Sequence, residues 1–433
     1  MKKLIVTVVS ASLAVVALGR ASIQDVIVRQ QWPWNGRVNI DYVLTDDANG
    51  SYDIDVSLSN GGEPIATGWG ALTGDLYGVR PGAHRIVWDP TVGRAADDKT
   101  VYTNFRASLS IANADDLYMV IDLKGGASAK NYEVTFTNAP PAGGWSQDEY
   151  KLDKIVLRRI PACTFMMGCP VAERTFFNVQ PSIGGRQQEV YRQVTLTKPY
   201  YIGIFPITGG QYYRLESSLG TTTAGENHKY PVYNPTYTVL RGENSYKIGE
   251  GGTWPGLGDD SVLGRLNARA SVASRLPGYR FDLPTEAQWE CACRAGCTQC
   301  WPKGPATETY AEIDANLSKA AVYKGNAGYG ATVGSFDANA FGLYDMLGSV
   351  YERTRDYPDY DNETVSPDPV TDPVINDYGK NYRYPSTFAR GGFWNSSAFD
   401  CRASYSANAG GPETGRQYDG MVGFRLACIY GGE

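Results

Sequence analysis

The residues best placed to do chemistry lie in Phe341-Gly-Leu-Tyr-Asp-Met-Leu-Gly-Ser-Val-Tyr-Glu352. Asp345 and Glu352 are hard carboxylates seven residues apart, and Gly348 and Val350 between them can offer backbone carbonyls from a turn. Calcium takes that mixture of carboxylate and carbonyl oxygen. The plain alternative is a solvated loop with incidental acids. A second candidate, Cys297-Thr-Gln-Cys300, has the spacing of a zinc or redox pair. No second such pair and no nearby histidine completes a zinc site. The chain's two histidines, His84 and His228, argue against a His-rich centre. There is no GxSxG motif, so Ser396 and Ser397 read as hydrogen-bonding loop residues rather than nucleophiles.

These groups sit in a chain with the composition of an ordered globular protein. Its net charge of −6 comes with no basic cluster to displace phosphate counterions, which argues against nucleic-acid binding. Lys2-Lys3, an apolar run from Leu4 to Leu18 and then Gly19-Arg20-Ala21 read as a secretory signal peptide over residues 1–21. That run is too short to span a bilayer comfortably and no later stretch is long enough, so no transmembrane segment is expected. The expected location is outside the cytoplasm: periplasmic, cell-surface or extracellular. Export makes the eight cysteines, all beyond residue 160, readable as structural disulfides. Cys163 and Cys169 are too far apart to join each other if their run is extended.

The elements that must position these residues fall into two parts. Over residues 22–144 the pattern alternates with period two, as in Tyr52, Ile54, Val56, Leu58 and again in Phe105, Ala107, Leu109, Ile111. Tyr132, Val134 and Phe136 repeat it, and Gly-, Asn- and Pro-rich turns separate the runs. Such runs predict an antiparallel β-sandwich with a structural or adhesive role. The segment Asn138-Ala-Pro-Pro-Ala-Gly-Gly144 reads as the linker. Over residues 150–433 the pattern predicts an α+β domain of few helices and much loop. Helices are expected from Thr208 to Leu219, from Ser261 to Ser274, and after Thr285, whose side chain can cap. Residues 390–427 read as two short regular ends around a long irregular middle, which is how sites are often mounted.

Several segments of this second part resemble one family. They are Ile160-Pro-Ala-Cys-Thr-Phe-Met-Met-Gly168, Tyr201-Ile-Gly-Ile-Phe205, Leu283-Pro-Thr-Glu-Ala-Gln-Trp-Glu290, Phe341-Gly-Leu-Tyr-Asp345, Arg390-Gly-Gly392 and Gly423-Phe-Arg-Leu-Ala427. Together and in this order they resemble the formylglycine-generating (sulfatase-modifying factor) family. The resemblance implies a C-type-lectin-like fold for this part. It also implies what the chain lacks. The family's enzymes oxidise a sulfatase cysteine with oxygen and copper, using a closely spaced cysteine pair just after the Gly-Gly. Here Phe393 to Asp400 holds no cysteine, and Cys401 arrives nine residues after Gly392. Without that pair the copper centre is not expected. The resemblance further implies a Cys293–Cys401 disulfide. For calcium it implies Asp345, Gly348, Val350 and Glu352, and more loosely Asn316, the Leu317 carbonyl and Asn326. A related branch binds iron through histidines, which two isolated histidines do not supply.

Many members of the family this part resembles lack the cysteine pair and serve as binding domains, some with variable residues between the RGG and GFRLA segments. By that resemblance Trp394, Asn395, Phe399, Asp400, Tyr405, Asn408 and Tyr418 form the expected binding surface, with Trp394 and Tyr405 equally readable as core. The leading expectation is a secreted, non-catalytic module for an extracellular protein or glycan ligand. The alternatives are a protein-modifying oxidoreductase with a rearranged pair such as Cys297 and Cys300, or a purely structural surface protein.

Overall fold

The computed structural model describes residues 21–31, 35–47, 50–68, 70–92, 100–112, 116–179, 182–183, 186–187, 189–216, 228–242, 257–301, 313–326, 330–356, 366–374, 387–408 and 421–431. The expected leader lies outside these, apart from Ala21. The chain divides into two compact units, Met1–Leu117 with Phe136–Pro141, and Tyr118–Thr135 with Ala142–Glu433.

The first unit is built from the period-two runs. Strands β1 (Ala21–Gln30), β2 (Val38–Asp46), β5 (Leu72–Gly74) and β6 (Gly82–Trp88) make one sheet in the order β1-β2-β6-β5. Strands β3 (Ile54–Asn60), β4 (Glu63–Pro64) and β7 (Phe105–Ile111) make the other, in the order β4-β3-β7. Alternation puts one face of each strand inward. Thus Val38, Ile40, Tyr42 and Leu44 of β2 and Ile86 and Trp88 of β6 meet Ile54 and Leu58 of β3 in a single core. This is the β-sandwich expected from the sequence.

One part of that expectation is corrected. Residues 118–135, read as sandwich, belong with the second unit. Strands β8 (Tyr118–Asp122) and β9 (Glu133–Thr137) extend a six-stranded sheet in the order β16-β22-β15-β10-β8-β9. The other strands are β10 (Lys154–Ile160), β15 (Tyr200–Gly203), β16 (Tyr279–Asp282) and β22 (Ala427–Tyr430). β10 is buried along nearly its whole length and needs a partner on each edge. β15 takes one edge, and β8 takes the other, with Met119 opposite Leu157. β8 is apolar on both faces, so alternation gave no sign of it.

Two sheets of three and four strands also belong to the second unit. One joins β11 (Cys163–Met167), β14 (Arg192–Leu196) and β18 (Val370–Thr371). The other runs β20-β19-β17-β21, from β17 (Tyr351–Arg353), β19 (Phe388–Arg390), β20 (Ser406–Asn408) and β21 (Val422–Phe424). A two-residue ladder pairs β12 (Ser182–Ile183) with β13 (Arg186–Gln187). The helices are short: α1 (Glu149–Leu152), α2 (Val171–Phe176), α3 (Gly209–Leu215), α4 (Tyr237–Arg241), α5 (Val262–Arg269) and α6 (Glu286–Arg294). Thr208 and Thr285 each start a helix with a reciprocal capping box, closed by Gln211 and Gln288. The helix begun at Ser261 ends earlier than its pattern suggests. The Arg269 carbonyl accepts from the Tyr132 N–H at 2.8 Å, so the approach to β9 takes an acceptor that a further turn would use.

Candidate functional site

The segment from Arg390 onward is clamped at both ends by buried arginines. Arg390 closes β19, its Nη2 donates to Glu290 Oε2 at 2.6 Å, and its Nη1 donates to the Tyr405 carbonyl at 3.0 Å. Glu290 sits on α6 and also accepts from Arg294 Nε and the Gly168 N–H, each at 2.8 Å. Burial alone would raise the Glu290 carboxyl, but Arg294 and Arg390 outweigh it and hold it below the usual range. At the other end Arg425 is fully buried. Its Nη2 and Nε donate to Glu352 Oε1 at 2.7 Å and Oε2 at 2.9 Å. Its remaining donors reach the carbonyls of Gly203 at 2.7 Å and Tyr344 at 2.8 Å. Trp289 Nε1 donates to Glu352 Oε2 at 2.6 Å. One guanidinium therefore ties together three stretches far apart in sequence.

Between the clamps the chain turns sharply at Gly391 and Gly392, with φ of 93° and 78°. A Cβ on Gly391 would lie 2.8 Å from the Met346 carbonyl, and one on Gly392 would lie 2.5 Å from Cys401 Sγ. Only glycine fits both the conformation and the space.

The expected surface residues divide by environment. Asn395 is exposed, while Trp394 and Asp400 are half-buried. The Trp394 N–H donates to the Ser349 carbonyl at 3.1 Å, and its ring meets Phe393 edge-on at 5.9 Å. Asp400 accepts from Ser397 Oγ at 2.9 Å. Phe399 and Tyr405 spend a face inward: the Arg402 guanidinium lies 4.2 Å from the Phe399 ring and 5.8 Å from that of Tyr405. Asn408 closes β20 opposite Phe388, and Tyr418 lies outside the described residues. Trp394, Asn395 and Asp400 are thus the members of this set that keep accessible surface on a fixed loop without serving Arg402.

Cys293 and Cys401 are both free thiols, so the bond expected between them is not formed in the structure. Both sulfurs are fully buried, and burial pushes both thiols above their ordinary value. Cys297 is raised by burial as well, and its Sγ contacts the Trp301 carbonyl at 3.4 Å. Cys169 and Cys428 are pushed by burial up to about 12. None of these five is the low-pKa thiol that cysteine oxidation or soft-metal ligation draws on.

Several of the oxygens expected to hold calcium already have partners. Arg425 and Trp289 take the Glu352 carboxylate, and Asp345 accepts from the Gly334 N–H at 2.6 Å. The Gly348 carbonyl accepts from the Val350 N–H at 2.7 Å. In the second set Asn316 Oδ1 accepts from Lys319 Nζ at 3.1 Å, Asn326 Oδ1 from the Tyr323 N–H at 3.1 Å, and the Leu317 carbonyl from the Ala320 N–H at 2.8 Å. A calcium ion at Glu352 would sit against the buried Arg425 guanidinium, so the Glu352 carboxylate does not fit the ion as arranged. The melting temperature is accordingly expected to agree within about 1 °C between millimolar calcium and excess chelator. A rise of several degrees with calcium would restore the sequence expectation.

Sequence reasoning named the segments containing Arg390, Arg425 and Glu290 without giving these three residues a role. The available signal was a charged residue embedded among residue types that are otherwise buried.

Short sheets, a few capped helices and a loop segment held by buried ion pairs define a β-rich domain of the C-type-lectin-like class. A family model described as the sulfatase-modifying factor enzyme 1-like domain matches residues 146–429, and the chain belongs to that family. It is similar to a protein named serine/threonine-protein kinase pkn1 from Chlamydia pneumoniae, 29% identical over 224 residues, which are 52% of this chain and 32% of that one. It is also similar to the formylglycine-generating enzyme of Mus musculus, 24% identical over 227 residues, covering 45% of this chain and 59% of the mouse protein. The chain thus spans about a third to three-fifths of the length of these curated relatives. Among solved structures, PvdO from Pseudomonas aeruginosa is 23% identical with a TM-score of 0.41, covering 63% of this chain and 94% of that one.

Proposed function

We propose that the family domain is a non-catalytic binding module of an exported protein, with Trp394, Asn395 and Asp400 at the centre of its binding surface. One observation carries this reading: no thiol lies between Gly392 and Cys401, and Cys401 itself is fully buried with its sulfur against Gly392. The family's oxidation chemistry has no accessible thiol pair on this segment. What remains on its outer side is an indole, an amide and a carboxylate on a loop fixed by its own hydrogen bonds. Such groups suit recognition, because a fixed aromatic supplies contact area at low entropic cost and its polar neighbours supply direction. The ligand class is an extracellular protein or glycan.

The test has two arms. Incubated with a sulfatase-type cysteine peptide, copper and oxygen, the protein is expected to leave the peptide unchanged by mass spectrometry. On glycan and extracellular-protein arrays it is expected to give hits that Trp394→Ala with Asn395→Ala abolishes, at an unchanged melting temperature. Conversion of the peptide to formylglycine would overturn the reading, and so would an array with no hits.

A further inference from the structure

The thiol contact in this unit is not the expected one. Cys163 Sγ and Cys291 Sγ lie 2.7 Å apart. Cys163 opens β11 and is half-exposed, while Cys291 lies within α6 and is fully buried. The two elements pack directly on each other, and Gly168, just past the end of β11, donates its N–H to Glu290, the residue before Cys291. The Tyr200 hydroxyl donates to the Gln288 carbonyl one turn earlier on the same helix, which fixes that face of α6. The two sulfurs are therefore brought together by a packed strand and a capped helix rather than by loops.

We propose that Cys163 and Cys291 are a thiol–disulfide site, oxidised by exchange with a disulfide-bearing partner to a bond that staples β11 to α6. The half-exposed Cys163 reacts first. It gives up its proton, its thiolate attacks the external disulfide, the external S–S bond breaks, and one partner thiolate leaves. Cys291 then gives up its proton and attacks Cys163 Sγ, expelling the second partner thiolate. The two protein thiols are oxidised, the external disulfide is reduced to two thiols, and the two protons end on those leaving groups. Burial of Cys291 fixes the order, because an external reagent reaches Cys163 alone. The bond closes a loop between residues 128 apart in sequence, a span at which a cross-link constrains the unfolded chain strongly.

The test is peptide mapping of the full chain after equilibration with oxidised glutathione, blocking of remaining thiols and digestion without reduction. A linked Cys163–Cys291 peptide is expected, with Cys163→Ser abolishing it. Reduction with dithiothreitol is expected to lower the melting temperature of the wild type by about 5–10 °C and that of Cys163→Ser by far less. Cys163→Ala repeats the measurement with a side chain that cannot hydrogen-bond, in case serine disturbs β11. Two fully blocked thiols after oxidation would overturn the proposal, as would a linked Cys293–Cys401 peptide with Cys163 and Cys291 both blocked.

Discussion

Replacing Arg425 with methionine is expected to destabilise the family domain by about 3–5 kcal/mol, the cost of leaving one member of a buried ion pair without its partner. Arg425 is fully buried and Glu352 is 1% exposed, so water cannot take over the bonds that are lost. The substitution strands the Glu352 carboxylate with Trp289 as its remaining side-chain donor and leaves the carbonyls of Gly203 and Tyr344 short of one. These groups belong to β15, to the 341–352 segment and to β17, so their loss loosens the frame beneath residues 390–408. In a urea titration followed by tryptophan fluorescence the midpoint should fall clearly. The double variant Arg425→Met with Glu352→Gln should recover part of the loss, because it also removes the stranded charge. A midpoint within error of the wild type would show that the pair carries no net stabilisation. Lysine at 425 should not substitute, since one ammonium cannot reach both carboxylate oxygens and two separate carbonyls in the guanidinium's planar geometry.

What could be read before any coordinates follows from how local each determinant is. The capping residues Thr208, Ser261 and Thr285 act within three positions of themselves, and each starts its helix where the sequence places it. The alternation of β3 and β7 is equally local and points to the sandwich. Strand β8 escaped because both its faces are buried, and its partner β10 begins more than thirty residues later. The clamps escaped for the same reason: Arg425 and Glu352 are 73 residues apart and Arg390 and Glu290 are 100 apart. The cysteines show how a helix's phase decides a pairing. Cys291 and Cys293 are two positions apart on α6, and at 3.6 residues per turn their side chains point to nearly opposite sides. The family resemblance favours Cys293 as the bonded one, whereas the structure turns Cys291 toward β11 and Cys163. Knowing that a helix follows Thr285 was not enough, because which side of it meets β11 depends on the packing of the whole sheet.

Replacing Glu290 with glutamine is expected to cost a similar 3–5 kcal/mol and also to change how the protein responds to acid. Glu290 accepts from the Gly168 N–H, Arg294 Nε and Arg390 Nη2. A neutral amide offers one acceptor oxygen in place of two and leaves two buried guanidiniums with less negative charge between them. Arg390 keeps Glu286, whose Oε1 lies 3.0 Å from its Nε, and Arg294 keeps the carbonyls of Gly168 and Gln299, so the loss is partial rather than a collapse. The pH dependence has a definite sign. The folded protein holds the Glu290 carboxyl below its unfolded value, so the stability it contributes is fully present above the unfolded pKa, about 4.3 for glutamate. That stability is lost as pH falls through the folded value. The wild type should therefore lose stability on acidification below about pH 4, and Glu290→Gln should lose less over the same interval, because it has no proton to take up there. Hydrogen exchange should report the structural side of the same event. Amides of residues 404–408, which follow the Ala403 and Tyr405 carbonyls that Arg390 holds, should lose protection in the variant more than amides of β2 or β6 in the other unit. Equal acid slopes for the two proteins would show that Glu290 is not held below its unfolded pKa by Arg294 and Arg390.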